Sequence, residues 1–302
     1  MSIKVEGISK FYGSQEALSN IDFEAEKGEI IGFLGPNGAG KSTMMKILTS
    51  YIAASSGKAF VSGFDVEENP IDVKRKIGYL PEHNSLYTDM YVKEFLLFIA
   101  GMYSVSDKKK RVSEMIKLVG LEVEQDKKIE ELSKGYRQRV GLAAAIIHDP
   151  EVLILDEPTT GLDPNQLAEI RGLIKRIGKE KTVLLSTHIM QEVEALCTRV
   201  LFINKGKIIA DKATSDLKKS YTNQDLIEVE FDSVIEESAL KKSFQNSSID
   251  KISTNLYRIS NSSGKDIRSS IFEWAVKNKV SILSLKEVET NLEDVFKLLT
   301  KD

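Results

Sequence analysis

Cysteine is almost absent from the sequence, and so are long hydrophobic runs. Cys197 is the single cysteine among 302 residues, which excludes an internal disulfide and an all-cysteine metal site. A reducing cytosol is therefore the expected compartment. The longest apolar run, residues 95–103, is about half as long as the roughly 20 residues that a membrane-spanning helix needs. We expect no membrane span, so work at a membrane would require a second chain.

An excess of charge of one sign is missing as well. The 42 basic and 45 acidic side chains give a formal net charge of −3, and 41% of the residues are hydrophobic. This balance is typical of a globular protein and lacks the basic excess of a dedicated nucleic-acid binder. The initial stretch MSIKVEGISK lacks the apolar core of a signal peptide, so none is expected.

The length predicts about two domains, and the residue pattern changes along the chain. Residues 1–211 alternate short β-branched runs with helical segments, which predicts an α/β domain with a mostly parallel sheet. Within it, residues 91–148 carry apolar side chains at three- and four-residue spacing and predict a helical subdomain. The predicted strands lie at 30–34, 152–155, 182–186 and 200–204.

Residues 212–225 are polar and lack a sustained apolar period, which predicts a linker. Residues 226–302 then form a separate small α+β domain, which we expect to be an accessory or regulatory unit. Its predicted order is strand, helix, two strands, helix and strand, as in the ferredoxin-like fold. These elements are predicted at 227–231, 238–244, 249–254, 256–259, 267–278 and 282–285, with a closing helix at 292–299.

A glycine-rich loop, GPNGAGKST, stands between the predicted strand 30–34 and a helix with apolar residues, the context typical of a phosphate loop. Gly38 and Gly40 let backbone N–H groups approach an anion, and Lys41 adds a positive charge. Ser42 offers a hydroxyl to Mg²⁺. We therefore expect a nucleoside triphosphate to bind with Mg²⁺. The predicted binding residues are Gly35, Pro36, Asn37, Gly38, Ala39, Gly40, Lys41, Ser42 and Thr43.

Two carboxylates end the predicted strand 152–155. Alternation along a strand would send Asp156 and Glu157 to opposite sides and allow them two roles. Asp156 is the candidate for the Mg²⁺ shell, and Glu157 is the candidate base that deprotonates the attacking water. A plain polar loop edge is the alternative, which a phosphate loop in the same chain disfavours. His188 follows the predicted strand 182–186, where ligand groups collect, and could bind a γ-phosphate or that water.

Three further motifs complete a pattern that resembles the ATP-binding subunits of ABC transporters. Residues 132–139 read LSKGYRQR and resemble the ABC signature, residues 160–163 read TGLD and resemble the D-loop, and Tyr12 stands in the aromatic A-loop position. With His188 as the switch histidine, all motifs follow the family's order within residues 3–211. The resemblance implies an ABC-type P-loop NTPase fold with an antiparallel β part, and it implies ATP hydrolysis.

In that family the signature of one subunit faces the phosphate loop of another. The resemblance therefore implies that Ser133, Gly135 and Asp163 contact ATP across a homodimer or a pair of ATPase subunits. It also implies that Tyr12 stacks on adenine. Because the chain has one copy of each motif, a complete site would need two such chains. Loss of the γ-phosphate would then remove the contact that holds the pair closed.

Two motifs depart from the family pattern. Glu82 stands where most relatives have the Q-loop glutamine. Because an anionic oxygen suits Mg²⁺ at least as well, Glu82 joins Ser42 and Asp156 as a predicted metal ligand. The signature has Lys134 and Tyr136 where glycine and glutamine are commoner, but it keeps the serine and the glycine that face the γ-phosphate.

The resemblance also implies a membrane partner. A groove would receive a cytoplasmic helix of a separate transmembrane permease subunit and hold the protein on the inner face of the membrane. Its residues would include Pro81, Glu82, Tyr87 and Tyr91. The stretches IGYLPEHNSLY and LEDVF and the C-terminal extension resemble export-type ATPases, and within these the gliding-motility-associated ones. The transported substrate stays open, because in this architecture it touches the membrane subunit.

Two other functions share parts of this pattern. A soluble ABC-type ATPase acting on nucleic acid or ribosomes would usually have paired cassettes, long heptad arms or zinc-binding cysteines, and none occurs in this sequence. We expect no nucleic-acid partner. A small-molecule kinase would use the phosphate loop but would need neither the signature at 132–139 nor His188.

Overall fold

The computed structural model describes residues 1–216, 225–244, 247–261 and 267–287. The chain divides into two compact units, Met1–Thr214 and Ser215–Asp302. The strand that closes the first unit runs to Ala213, past the predicted domain end at 211, because its backbone stays paired with the neighbouring strand. Most of the linker predicted at 212–225 lies outside the described residues.

The first unit contains two sheets with helices packed against them. Its strands are β1 (Ile3–Tyr12), β2 (Gln15–Ala25), β3 (Ile30–Leu34), β4 (Ser56–Val61), β5 (Phe64–Asp65), β6 (Ile77–Leu80), β7 (Val152–Asp156), β8 (Thr182–Thr187), β9 (Arg199–Asn204) and β10 (Lys207–Ala213). Its longer helices are α1 (Lys41–Leu48), α2 (Pro70–Lys76), α3 (Val92–Met102), α4 (Lys108–Val119), α5 (Lys134–Ile146), α6 (Pro164–Gly178) and α7 (Met190–Leu196). All strands predicted in this unit are present, with ends that differ by at most one residue.

The central sheet is six-stranded, in the order β10-β9-β3-β8-β7-β6. Neighbouring strands from β9 to β6 run parallel, and β10 pairs antiparallel with β9. Every residue of β3, β7 and β8 is buried, as expected for parallel strands that are covered on both faces. The predicted mostly parallel sheet is confirmed, and the carboxyl ends of β3, β8 and β7 meet at one edge.

A second, antiparallel sheet has the order β2-β1-β4-β5 and is the antiparallel part that the family resemblance implies. It shares one hydrophobic core with the central sheet and α1. Core side chains include Ile3, Leu18, Phe33, Met44 and Leu184, all fully buried. Burying one such side chain contributes roughly 1.5–3 kcal/mol before entropy is counted. This core fixes α1, and with it the phosphate loop, against both sheets.

Helices α3, α4 and α5 occupy the segment predicted at 91–148 to be helical. The side chain of Asp107 caps α4 by accepting a hydrogen bond of 3.3 Å from the backbone nitrogen of Lys110. The same helix ends at Gly120, whose φ of 69° suits a glycine cap. Over the described ranges, no helix is both long enough and apolar enough to cross a membrane.

The second unit contains a four-stranded antiparallel sheet. Its described elements are β11 (Asp225–Phe231), α8 (Glu237–Ser243), β12 (Ser247–Lys251), β13 (Leu256–Asn261), α9 (Arg268–Lys277) and β14 (Ile282–Glu287). The element order and the strand order β12-β13-β11-β14 correspond to the predicted ferredoxin-like arrangement. Phe231, Leu240 and Tyr257 are fully buried in its core.

Two details of this unit differ from the sequence prediction or lie beyond it. Strand β12 ends at Lys251, three residues earlier than predicted. The reason is a turn, because the backbone nitrogens of Ile252 and Ser253 both donate to the carbonyl oxygen of Leu256. The closing helix predicted at 292–299 lies outside the described residues.

Candidate active site

The glycine-rich loop joins β3 to α1 and turns at Gly38 and Gly40. Their φ angles are 80° and 109°, values that strain any residue with a Cβ. A Cβ on Gly40 would also lie 2.6 Å from the backbone oxygen of Ala17, well inside van der Waals contact. The first turn of α1 contains no acidic residue, so its positive dipole end has no carboxylate of its own. The loop and the helix end therefore form a cradle for an anion.

Replacing Gly40 with alanine is expected to lower both ATP affinity and the free energy of unfolding. The strained φ and the clash with Ala17 would cost about 1–3 kcal/mol. Gly172→Ala is the matched control, because Gly172 lies inside α6 and an added Cβ would meet no described atom within 4 Å. That alanine should be neutral or stabilise by up to about 1 kcal/mol. Urea unfolding measures both, and equal effects would contradict the role assigned to Gly40.

Lys41, the first residue of α1, is held inside the loop. Its side chain is 6% exposed, and its ammonium donates to the carbonyl oxygens of Gly35 at 2.8 Å and Pro36 at 3.2 Å. A carboxylate oxygen of Glu157 lies 3.6 Å from the same ammonium. Burial lowers the pKa of Lys41, and the charges of Glu157 and Asp156 partly offset this lowering. A positive charge is thus fixed within the cradle.

Asp156, the last residue of β7, contacts two hydroxyl groups. Ser42, the second residue of α1, donates a hydrogen bond of 3.2 Å to Asp156 Oδ1. The hydroxyl of Ser186 on β8 donates to the same oxygen. Because Asp156 is almost fully buried, these hydroxyls replace water that its carboxylate gives up on folding. The pair of serines therefore holds this carboxylate beside the phosphate cradle.

The oxygens of Ser42 and Asp156 fit the predicted magnesium site. Mg²⁺ prefers oxygen ligands, and this hydroxyl and carboxylate lie together at the start of α1. Glu82 is exposed, lines the same cleft and acts electrostatically on Lys41. In the part of the chain that the structure describes, no three His, Cys, Asp or Glu side chains form a metal cluster. A short ligand set of this kind is typical of Mg²⁺ that is shared with substrate phosphates.

Glu157 follows Asp156 but leaves the strand. Its φ of 50° lies in the left-handed region, so the alternation of side chains stops at this residue. The prediction that the two carboxylates point to opposite sides is therefore wrong. Both reach the N-terminal end of α1, where one contacts Ser42 and the other lies beside Lys41. Backbone strain at a non-glycine residue is typical of functional sites.

Two side chains hold the carboxylate of Glu157. The hydroxyl of Thr160 donates to Oε2 at 3.2 Å, and Nδ1 of His188 lies 2.9 Å from both carboxylate oxygens. Because an ionised carboxylate only accepts hydrogen bonds, this contact requires a proton on Nδ1. The imidazole is 42% exposed, whereas the side chain of Glu157 is 8% exposed. The histidine therefore connects a buried carboxylate with the open cleft.

A cleft of about 480 Å³ brings most of the predicted site residues together. It is lined by Tyr12, most of the phosphate loop, Glu82, Glu157 and His188. Tyr12 is the last residue of β1, and it is 47% exposed. Its ring therefore offers a face on which a flat base can stack.

Three residues at this cleft have no motif of their own. Gln15 and Ala17 on β2 line it, and Gln15 pairs with Tyr12 across the β1–β2 hairpin. Ser186 supports Asp156 from the neighbouring strand. The available sequence signals are a hairpin after Tyr12 and a hydroxyl at the end of a buried strand. Neither signal is specific, so sequence reasoning missed these residues.

Seven predicted residues do not line this cleft. Gly35, Pro36, Ala39 and Asp156 belong to the phosphate loop or contact it, whereas Ser133, Gly135 and Asp163 lie at the starts of α5 and α6. Ser133 caps α5, where its hydroxyl accepts a hydrogen bond of 3.4 Å from the backbone nitrogen of Tyr136. Gly135 is packed against Gln166, whose side chain would lie 2.5 Å from an added Cβ. Asp163 caps α6 and accepts from two backbone N–H groups of the first turn, at 3.0 and 2.9 Å. One chain thus does not bring its signature to its own phosphate loop.

Known proteins are similar to this sequence over most of its length. The family model described as ABC transporter matches residues 18–160. The chain is 33% identical to the linearmycin resistance ATP-binding protein LnrL of Bacillus subtilis (strain 168) over 305 residues, 99% of this chain and 98% of that protein. It is 38% identical to the bacitracin transport ATP-binding protein BcrA of Bacillus licheniformis over 219 residues, 72% of this chain and 71% of that protein.

Solved structures share the fold. One, described as an ATP binding subunit of an ABC transporter, has a TM-score of 0.67 and 27% identity over 73% of this chain and 93% of that one. The dimeric post-hydrolysis state of the ATP-binding cassette MJ0796 bound to ADP and Pi has a TM-score of 0.64 and 25% identity, over 70% of this chain and 98% of that one. Together with the phosphate cradle and its carboxylates, these matches show that the chain belongs to the ABC transporter family, as an ATP-binding subunit that hydrolyses ATP.

Proposed function

We propose that two copies of this chain, or this chain and a related ATPase subunit, close head to tail around two ATP molecules. The observation that carries the proposal is that Ser133, Gly135 and Asp163 lie outside the cleft that contains Lys41. Ser133 and Gly135 lie at the N-terminal end of α5, which has no acidic residue in its first turn and is suited to an anion. Asp163 lies at the start of α6, which its carboxylate caps. A second chain would bring these residues to the γ-phosphate. The dimeric structure of the related cassette MJ0796 supports pairing.

Within each site, we assign proton removal to Glu157. Its carboxylate is buried beside Lys41 and is oriented by Thr160 and His188. From this position it can take a proton from the water that attacks the γ-phosphate. While Nδ1 donates to Glu157, the second ring nitrogen of a neutral His188 would accept a hydrogen bond from this water. A contact with the γ-phosphate would need a proton on that nitrogen as well. The two residues therefore act as one catalytic unit.

The remaining cleft residues bind and position ATP. Lys41 and the N–H groups of the loop would bind its phosphates, and Tyr12 would stack on adenine. Ser42, Asp156 and Glu82 would hold Mg²⁺, which neutralises phosphate charge when it is bound. The contact of 3.2 Å between the Ser42 hydroxyl and Asp156 supports this ligand set. For Glu82 the support is its place in the cleft.

A second groove, of about 380 Å³, is the candidate contact for a membrane subunit. Its lining includes Pro81, Phe95 and Met102. Beside it, the ring of Tyr87 contacts Phe95 and Phe98 edge-on, with centroids 6.2 and 5.9 Å apart. Tyr87 and Met102 are 58% and 67% exposed, so apolar surface stays open here. An apolar groove of this kind suits an amphipathic helix of a partner.

The two clefts meet at adjacent residues. Pro81 lines the groove and Glu82 lines the ATP cleft, so a shift at one would reach the other along the backbone. Tyr87 and Tyr91, which were also predicted for the groove, do not line this cavity, although both are about half exposed. We propose that a cytoplasmic helix of a separate transmembrane permease subunit binds in this groove. That contact would keep the protein on the inner face of the membrane.

We further propose that the transport is export of an antimicrobial compound. The support is the match to LnrL, which covers 99% of this chain and therefore includes the C-terminal unit. LnrL is named for linearmycin resistance and BcrA for bacitracin transport. The C-terminal unit would be an accessory domain of such an exporter. Gliding motility stays a prediction, and no observation favours action on nucleic acid or ribosomes.

Deleting the gene in its own host tests the export proposal. The deletion strain and a strain carrying Glu157→Gln at the native locus should both become more sensitive to at least one compound in a panel of membrane-active antibiotics and peptides. A strain carrying Glu180→Gln, the same exchange at an exposed residue, should match the parent. Unchanged sensitivity to the whole panel, with a loss of surface spreading instead, would contradict antimicrobial export and favour the gliding-motility prediction.

A further inference from the structure

Glu192 is a buried carboxyl that no nucleotide motif includes. It lies on α7, four residues after His188, and is 0% exposed. Its Oε2 accepts a hydrogen bond of 2.6 Å from the hydroxyl of Thr187, whereas Oε1 has no partner among the described residues. Burying a carboxyl with one oxygen unpaired costs free energy, so its presence needs a reason beyond packing.

The partner of Glu192 sits at a junction of the site. Thr187 is the last residue of β8, and its carbonyl oxygen accepts from the backbone nitrogen of Gly35 at 3.3 Å, at the start of the phosphate loop. Its hydroxyl donates to Glu192 and accepts from the backbone nitrogen of Ile189 at 3.0 Å. The residue between these two anchored positions is His188. The hydroxyl of Thr187 therefore spans the turn that carries the imidazole.

This turn needs an anchor because the imidazole has little packing of its own. The side chain of His188 is 42% exposed, yet its Nδ1 lies 2.9 Å from both oxygens of Glu157. An exposed ring keeps one orientation only if its backbone is held. The hydrogen bonds of Thr187 to Glu192 and Ile189 supply that hold from both sides of the histidine.

A close ion pair does not account for Glu192. Burial raises its pKa, and the charges of Arg171 on α6 and His188 oppose this rise while Glu157 adds to it. Arg171 has no salt bridge to Glu192 within 4.0 Å, and its own Nε is buried without a hydrogen-bond partner in the described structure. The direct contact of Glu192 is thus the hydroxyl of Thr187, which points to orientation of the turn rather than charge balance.

We propose that Glu192 is a positioning residue for ATP hydrolysis, which acts through the hydroxyl of Thr187 to hold His188 against Glu157. This inference rests on the catalytic roles proposed above for His188 and Glu157. It predicts that substitutions of Glu192 or Thr187 slow ATP hydrolysis but hardly change nucleotide binding. The reason is that Lys41 and the cradle contact neither of these two side chains.

Steady-state ATPase assays on the full-length chain test the proposal. Glu192→Ala and Thr187→Val should each lower kcat between about tenfold and a hundredfold while KM for ATP stays unchanged. Thr187→Ser keeps the hydroxyl, so its kcat should stay close to that of the parent protein. Gln191→Ala, at the exposed neighbour of Glu192, should match the parent. The double variant of Glu192 and Thr187 should lose no more of kcat than either single variant, because both side chains act through the same hydrogen bond.

The imidazole nitrogens give a second measurement that a merely structural role would not change. The chain has three histidines, so the nitrogen signals of His188 can be assigned by substitution and followed by NMR. Glu192→Ala should shift the Nδ1 signal of His188 away from its carboxylate-bound position. Glu192→Gln keeps an acceptor for the Thr187 hydroxyl and should leave the signal in place, and the thermal midpoints of both variants are recorded alongside. An unshifted signal in Glu192→Ala, or a rise in KM without a fall in kcat, would overturn the proposal. If Glu157→Gln keeps full turnover, the proposed function fails; if it abolishes turnover while Glu192→Ala is fully active, this inference alone fails.

Discussion

Glu157→Gln is expected to bind ATP at least as tightly as the parent protein and to hydrolyse it about 100 to 10,000 times more slowly. Glutamine keeps the size of the side chain and can still contact Thr160 and His188, but it does not accept a proton as a carboxylate does. The exchange also removes a negative charge 3.6 Å from Lys41. Since that charge opposes the ATP phosphates, affinity should hold or rise.

Phosphate release at saturating ATP and Mg²⁺ measures turnover, and titration with a fluorescent ATP analogue measures affinity. Glu180→Gln is the matched control, with the same change of charge at an exposed position. With ATP present, Glu157→Gln should also accumulate as a dimer in light scattering, because the γ-phosphate is not removed. Undiminished turnover would assign the base to another group. A monomer at every ATP concentration would contradict the head-to-tail pair.

The phosphate loop can be predicted from the sequence because its determinants are local. Gly38 and Gly40 take φ angles of 80° and 109°, which few other residues tolerate, and Lys41 and Ser42 follow directly. The strands that lead to the site can be predicted equally well. Residues of β3, β7 and β8 are buried on both faces, so each strand reads as a short continuous apolar run.

The network behind the cleft cannot be predicted in this way, because its members are far apart in the chain. Ser186 contacts Asp156, which is 30 residues earlier in the chain, and His188 contacts Glu157, which is 31 residues earlier. These contacts depend on β8 lying between β3 and β7, an order that no local pattern states. The turn at Glu157 is also hidden, since a glutamate at φ 50° has no sequence signal and defeats the alternation rule.

In the second unit, too, the sequence predicts the strands better than it predicts a function. Alternation predicts β11, where Ile227, Val229 and Phe231 are buried while Glu228 and Glu230 between them are partly exposed. The charged face is occupied by structural pairs, since Arg258 donates to Glu228 at 2.8 Å. The pattern therefore predicts a sheet with one apolar face, but it does not indicate what this unit does.

The charges around the cleft decide how ATP can bind there. Glu157, Asp156 and Glu82 all act on the buried ammonium of Lys41. Bringing a phosphate polyanion beside three carboxylates is unfavourable unless further positive charge comes with it. A divalent cation at Ser42 and Asp156 would provide that charge. These carboxylates would thus make ATP binding in the cradle dependent on Mg²⁺ as well as on Lys41.

Lys41→Ala should consequently weaken ATP binding about 10- to 150-fold, the equivalent of the roughly 1.5–3 kcal/mol that a hydrogen bond to a charged group contributes. The ammonium is already fixed by Gly35 and Pro36, so its charge acts on bound ATP before any chemistry. Stability should change less than affinity, because losing these hydrogen bonds is offset by removing a buried charge.

Calorimetric titration of ATP with Mg²⁺ gives the dissociation constants for this comparison. Lys46→Ala is the matched control, because it removes the same charge from an exposed position in the last turn of the same helix. If Lys46→Ala weakened binding as much as Lys41→Ala, the effect would belong to overall charge and not to the cradle. An unchanged dissociation constant for Lys41→Ala would mean that the loop N–H groups and the metal carry the phosphates alone. The expected difference between the dissociation constants of Lys41→Ala and Lys46→Ala would therefore place the binding energy at the N-terminal end of α1.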